Sequence, residues 1–190
     1  MQARMSEAEL GLFVSFAKCS DNYLEFGTGG STCLAASNVR NSITALDSSA
    51  AWIDKVAEYC SDSKLPIAPN LIHVDIGPTG DWGYPTDPTT RHRWSSYHSN
   101  IWADANTLDV DLFLIDGRFR VACFVQAVLH AKPNAVILMH DFQSRKQYHV
   151  VREIAREVAT VEDMSVFLPV GGETRHRARE ILQAYEFESA

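Results

Sequence analysis

The spacing of apolar and polar residues divides the chain into short segments whose period switches repeatedly between helix and strand. In SEAELGLFVSFAKC, residues 6–19, Leu10, Phe13, Val14 and Ala17 share one helical face, and Ser6 with Glu9 fits a capping box. YLEFG reads as a short strand running into glycines, and STCLAASNV as a short second helix. ITALD, 43–47, is a strand; SSAAWIDKVAEYCSD begins with serine caps and continues as a helix. LIHVDIG, 71–77, is a third strand. VDLFLIDG, 110–117, and AVILMHD, 135–141, are almost continuously apolar, as strands buried on both faces are. Between them RFRVACFVQAVLHAK predicts a helix stopped at Pro133, and after them YHVVREIAREVA, 148–159, predicts another. ATVEDMSVFLPV predicts two extended pieces around Glu162 and Asp163, a hairpin on the sheet edge, and TRHRAREILQAYEF a terminal helix.

Strands alternating with helices predict an α/β protein with a parallel sheet covered on both faces. The 190 residues suit one domain, 1–190, with no repeat, linker or low-complexity segment. GPTGDWGYPTDPTTRHRWSSYHS, 77–99, is irregular, and a loop of that length in a compact domain is usually functional or mobile. Its aromatics, Trp82, Tyr84, Trp94 and Tyr97, suit either stacking on a ring or a hydrophobic cluster under the loop.

Composition narrows the classes. A net charge of −7 argues against a nucleic-acid partner, which needs a basic surface. Arg91, His92 and Arg93, and Arg175, His176, Arg177 and Arg179, are two basic clusters that read as solvated surface. Cys19, Cys33, Cys60 and Cys123 are far apart without a C-x-x-C pair, which predicts buried free thiols rather than a zinc or redox motif. No signal peptide is visible and no apolar run approaches the roughly 20 residues that span a bilayer, so no membrane association and a cytoplasmic location are expected.

The candidate chemistry begins at EFGTGGST, 25–32. In an open parallel sheet, ligands bind beyond the carboxyl ends of the strands, where strand order reverses. Glycines there let the backbone turn and approach a ligand closely. Asp47 ends the second strand twenty residues after Gly27, where an acid usually takes ribose hydroxyls; the alternative is a cap for the following helix. A dinucleotide site wants G-x-G-x-x-G, and its third glycine is Thr32 here. A carboxylate beside the glycines would repel a pyrophosphate and attract the ammonium end of S-adenosylmethionine; Glu25 is that carboxylate, unless it only braces the loop. Asp116 and Asp141 end buried strands at one sheet edge, a hard-oxygen pair suited to Mg²⁺, or else two caps. His140 is a candidate general base, provided that a turn starting there lets it and Asp141 reach the same side. Arg118 and Arg120 suit a carboxylate or phosphate on an acceptor, or pairing with nearby acids.

E-F-G-T-G-G-S-T, L-D-S, F-L-I-D-G and I-L-M-H-D together resemble the successive motifs of class I S-adenosylmethionine-dependent methyltransferases, over roughly residues 20 to 145. The resemblance implies a Rossmann-like three-layer sandwich, with a mostly parallel seven-stranded sheet whose last pair is an antiparallel hairpin. It implies that Glu25, Gly27, Thr28 and Gly29 border the methionine end, Asp47 and Ser48 the ribose, Asp75 and Ile76 the adenine, and that Asp116 lies beside the transferred methyl. I-D-G and H-D are similar to the small-molecule and sugar O-methyltransferases, including the macrocin, catechol and glucuronoxylan types, several of which hold a divalent metal at these strand ends. The catechol type has Asn after its second carboxylate; here that position is Phe142. The implied activity is O-methylation of a small molecule or sugar, with Asp116, Asp141 and His140 catalytic and a homo-oligomer possible. The alternatives are a non-catalytic ligand-binding relative and an NAD-dependent oxidoreductase.

Overall fold

The computed structural model describes residues 1–104 and 109–190. The strands β1 (Asn22–Phe26), β2 (Ser42–Asp47), β3 (Asn70–His73), β4 (Leu112–Ile115), β5 (Val136–Met139), β6 (Ala155–Val161) and β7 (Met164–Pro169) form one sheet in the order β3-β2-β1-β4-β5-β7-β6. The pairs β1–β2, β2–β3, β1–β4 and β4–β5 are parallel, and β7 runs antiparallel to both β5 and β6. The expected seven-stranded sheet with a terminal hairpin is therefore present. Chain order leaves β1 towards β2 on one side and towards β4 on the other, so the switch point lies between the ends of β1 and β4.

The helices are α1 (Glu7–Ala17), α2 (Gly30–Ala36), α3 (Ala50–Asp62), α4 (Ser96–Ser99), α5 (Arg120–His130) and α6 (Arg175–Tyr185). Local chemistry sets their starts. Ser6 Oγ accepts from the Glu9 amide at 3.2 Å while the Ser6 amide donates to Glu9 Oε2 at 2.9 Å, completing the capping box. Ser49 caps α3 by accepting from the Trp52 amide.

Alternation along β4 supplies both cores. Leu112 and Leu114 face a cluster with Phe13, Ala17, Ala35 and Ala36 of α1 and α2, whereas Phe113 and Ile115 face one built on α5 and α6. All four β4 side chains are fully buried, and each such aliphatic or aromatic residue contributes about 1.5–3 kcal/mol.

One predicted helix is absent. Over 148–159 the chain makes a 3-10 turn, Lys146–Glu153, and then enters β6. Helical spacing in REIAREVA yields to the open edge of β7, whose unpaired backbone groups bind Ala155–Val161 instead. Arg156 and Glu157 on this outer strand suit an edge that must not recruit another chain. The third strand stops at His73 rather than reaching 77. Cys33, Cys60 and Cys123 are buried free thiols as expected, but Cys19 is exposed. Within 77–99 the chain forms 3-10 turns at Asp81–Gly83 and Pro88–Arg93, a bridge between Thr79 and Pro85, and α4. Among the described residues no helix is long and apolar enough to cross a membrane.

Two glycines set how closely β1 and β4 end together. Gly27 has φ +101°, and a Cβ there would lie 2.6 Å from the Gly117 nitrogen and 2.7 Å from its Cα. A Cβ on Gly117 would run into the Tyr97 hydroxyl and back towards Gly27. Gly27→Ala is expected to destabilise by about 2–4 kcal/mol, through a strained φ and a backbone collision that nothing flexible relieves. Gly11→Ala, on the open face of α1 with no atom within 4 Å, is expected to stabilise by up to about 1 kcal/mol. Urea unfolding midpoints of the two variants should move in opposite directions; a neutral Gly27→Ala would disprove the close-approach account.

Candidate active site

The carboxyl ends of β1 to β5 bring most of the sequence-nominated residues to one edge. Asp47 ends β2, Asp116 follows β4, and His140 and Asp141 follow β5. The turn needed for His140 and Asp141 to reach the same side is present: β5 stops at Met139, and Asp141 has φ +55°. Phe119 at the start of α5 and Trp82 in the loop also adopt left-handed backbone, at φ +53° and +60°. Such conformations cost about 1–2 kcal/mol each for L-residues, and these three surround the edge.

At the end of β2, Asp47 Oδ2 accepts from the Thr28 amide at 3.1 Å and its hydroxyl at 3.4 Å, and Oδ1 accepts from the Ser49 amide at 3.0 Å. Burial raises its pKa, and these bonds pull the other way. The carboxylate keeps lone pairs for further donors. The loop closes over it: Ser48 Oγ donates to the Gly83 carbonyl at 3.0 Å, and Gly83 stands beside Asp47. Asp75 is exposed, accepting from the Gly77 amide and paired with Arg93. Ile76 has no exposed surface.

At the glycine turn, Glu25 is enclosed completely. Ser31 Oγ donates to Oε1, and Thr32 Oγ1 donates to Oε2 at 2.7 Å while accepting from the Gly29 amide at 2.9 Å. Burial pushes the Glu25 carboxyl up to about 8 against the pull of both hydroxyls. In this conformation Glu25 braces the turn and the first turn of α2. Gly29 is different: its φ of 166° is ordinary extended backbone, and a Cβ would meet nothing nearer than Trp52 Cζ2 at 4.0 Å. Gly29 is itself buried, with room for about one more carbon, and follows Thr28, whose amide and hydroxyl bind Asp47.

Asp116 and Asp141 are joined by Arg120, a fork that is 3% exposed. Its Nη2 lies 3.1 Å from Asp116 Oδ1 and its Nη1 3.0 Å from Asp141 Oδ2. Nη1 also donates to the His140 carbonyl and Nε to the Gly117 carbonyl. Arg145 adds a second cation to Asp141 at 2.9 Å. His140 Nδ1 is 3.1 Å from Asp116, and its Nε2 faces Glu9 at 3.5 Å. Although its burial alone would lower it, the hydrogen bond and charge of Asp116 raise the imidazole to about 9, so it is protonated at neutral pH. Burial raises the Asp116 carboxyl, but Arg120 foremost and then His140 hold it below the usual range.

This arrangement bears on the metal expectation. Oxygens and a ring nitrogen of Asp116, His140 and Asp141 do lie within 4.8 Å of one another. Their donors are engaged, however: Arg120 pairs with both carboxylates, and the imidazole carries a proton. The donor set does not fit Mg²⁺.

Glu9, Arg145 and Tyr148 join the site without having been singled out in the sequence. Arg145 Nη1 donates to the Tyr148 hydroxyl at 3.1 Å. Glu9 had a visible role as a cap; its second oxygen accepts from the Asp163 amide, tying α1 to the hairpin.

An open sheet of order 3-2-1-4-5-7-6 with this edge is the fold of the class I S-adenosylmethionine-dependent methyltransferases. A methyltransferase-like protein from Silicibacter pomeroyi matches at TM-score 0.86 and 24% identity, over 98% of this chain and 97% of that one. The O-methyltransferase TomG from Streptomyces achromogenes, in complex with S-adenosylmethionine, matches at 0.59 and 13% over 88% and 82%. An RNA methyltransferase from Salinibacter ruber, in complex with S-adenosylhomocysteine, matches at 0.54 and 9% over 90% and 96%. No protein-family profile and no curated protein sequence matches the chain.

Glu25 gives this edge a pH signature. Its folded value, about 8, exceeds the ordinary 4.5, so the folded state keeps a proton that the unfolded chain has released. Stability is full below about 4.5 and falls as pH rises to about 8, by at most about 1.4 kcal/mol per pH unit. Glu25→Gln is expected to flatten the decline of the urea midpoint between pH 5 and 8. An unchanged slope would place that proton elsewhere.

Proposed function

We propose that the chain transfers a methyl group from S-adenosylmethionine to an oxygen of a small-molecule or sugar acceptor. The observation that carries this reading is the sheet order, which brings the Gly27–Gly29 turn, Asp47 and Asp116 together at the carboxyl ends of β1, β2 and β4, around the switch point. Solved structures sharing the fold hold S-adenosylmethionine or S-adenosylhomocysteine, which supports the choice of donor. When bound, the donor supplies a methyl on a sulfonium, already activated for in-line displacement.

The protein's part is then positioning and proton management. Asp47 would accept from ribose hydroxyls while Thr28 and Ser49 hold it in place. Gly27 and Gly29 would border the methionine end, and Glu25 would act through the turn it braces. Asp75 and Ile76 would border the adenine, with Arg93 giving up Asp75. Asp116 would face the acceptor, and His140 would take its proton. Because His140 keeps its own proton to about pH 9, transfer to a hydroxyl is expected to quicken as pH rises from 7 towards 9.

A second reading is favoured by the Ser48–Gly83 bond, which draws the loop against Asp47: a relative that binds a ligand without transferring a methyl. An NAD enzyme is disfavoured because Thr32 and the Gly29 amide are bonded to each other rather than free for a pyrophosphate.

Calorimetric titration with S-adenosylmethionine, S-adenosylhomocysteine and NAD separates the three. Micromolar binding of the first two, unaffected by Mg²⁺ and weakened at least about tenfold in Asp47→Ala, is expected. Binding that Asp47→Ala leaves intact would refute the ribose role. NAD binding alone would overturn the reading, and donor binding without turnover across an acceptor panel would favour the second one.

A further inference from the structure

Of the three arginines gathered around Asp116, two have carboxylate partners. Arg120 takes Asp116 and Asp141, and Arg145 takes Asp141. Arg118 forms no ion pair among the described residues, although it is only 6% exposed. Its Nε is buried with no hydrogen-bond partner. The guanidinium stacks on the Tyr84 ring at 4.0 Å, and Nη1 donates to the Ser189 carbonyl at 3.5 Å. Asp116 is close enough to feel this charge but spends its hydrogen bonds on Arg120 and His140.

A buried cation without a counter-ion is unfavourable unless a partner arrives. The backbone holds the side chain there all the same. The Arg118 amide donates to the Tyr97 hydroxyl at 3.4 Å, its carbonyl accepts from Cys123 Sγ, and Gly117 before it is pinned against Gly27. The missing partner is an anion, and the surroundings suit one. Arg118 and Arg145 both bear on the Tyr84 hydroxyl and, although burial opposes them, together lower its pKa. Two guanidinium groups therefore converge on one phenol.

We propose that Arg118 anchors an oxyanion, a carboxylate or phosphate group, on the methyl acceptor, with Arg145 and Tyr84 completing the cradle. A planar fork suits either group through paired N–H donors. The assignment of the anion to an acceptor rests on the methyl-transfer reading; the anion site itself rests on Arg118 alone. Bound there, the oxyanion replaces the Ser189 carbonyl and fixes the acceptor one residue from Gly117, at the junction of β1 and β4.

The test is calorimetry on the full chain with inorganic phosphate and with acetate, at ionic strength fixed by chloride, with and without S-adenosylhomocysteine. Saturable binding of at least one oxyanion is expected, weakened at least about tenfold in Arg118→Gln and partly retained in Arg118→Lys, with S-adenosylhomocysteine affinity unchanged in both. Should Arg118→Gln fail to fold, the wild type and Arg118→Lys still decide. Oxyanion binding no stronger than that of chloride, or equal in wild type and variant, overturns the proposal. Anion binding that depends on Arg118 in a protein that ignores S-adenosylhomocysteine would keep the anion site and remove the methyl-transfer reading.

Discussion

The Arg120 fork is the interaction on which this edge of the sheet depends. Two carboxylates one strand apart, with only 26% of each side chain exposed, repel each other unless a cation stands between them. Arg120 does so while also binding the carbonyls of Gly117 and His140, the residues at which β4 and β5 leave the ladder. One guanidinium thus neutralises the acids and fixes the spacing of two strand ends. Removing it would leave Asp116 to His140 and Asp141 to Arg145, a loss of at most about 3–5 kcal/mol by comparison with broken buried pairs. It also explains why His140 stays protonated, because its hydrogen-bond partner Asp116 is kept ionised.

Much of the fold was legible because its signals are local and agree with one another. The apolar runs in VDLFLIDG and AVILMHD could only be central strands, and the Ser6–Glu9 box starts α1 where its spacing says. The hairpin turn at Glu162 and Asp163 was readable from two acids between extended pieces. The failure at 148–159 has a different cause. Local period favoured a helix, but the decisive partner was the edge of β7, a strand that comes later in the chain.

The site was legible as positions and not as bonds. Strand-end residues are forced to one edge by a parallel sheet, so Asp47, Asp116 and Asp141 could be nominated from their places in the chain. Whether two acids hold a metal or an arginine depends on where a third side chain points, and spacing carries no such information. Arg118 and Arg120 differ by two residues, yet one is saturated with partners and the other has a buried nitrogen with none. Tyr148 and Arg145 are hidden for a related reason: they lie in or beside the segment where helical spacing gives way to a 3-10 turn and an edge strand.

The Ser48–Gly83 hydrogen bond has a kinetic consequence. It joins the end of β2 to the loop, with Gly83 packed on Asp47 and Tyr84 under Arg118. A ligand that needs the place Gly83 occupies must wait for this bond to break, and its entry is then a unimolecular opening followed by capture. At high ligand concentration the observed association rate then levels off at the opening rate instead of rising without limit, and the plateau is a property of the protein, common to every ligand that uses this door.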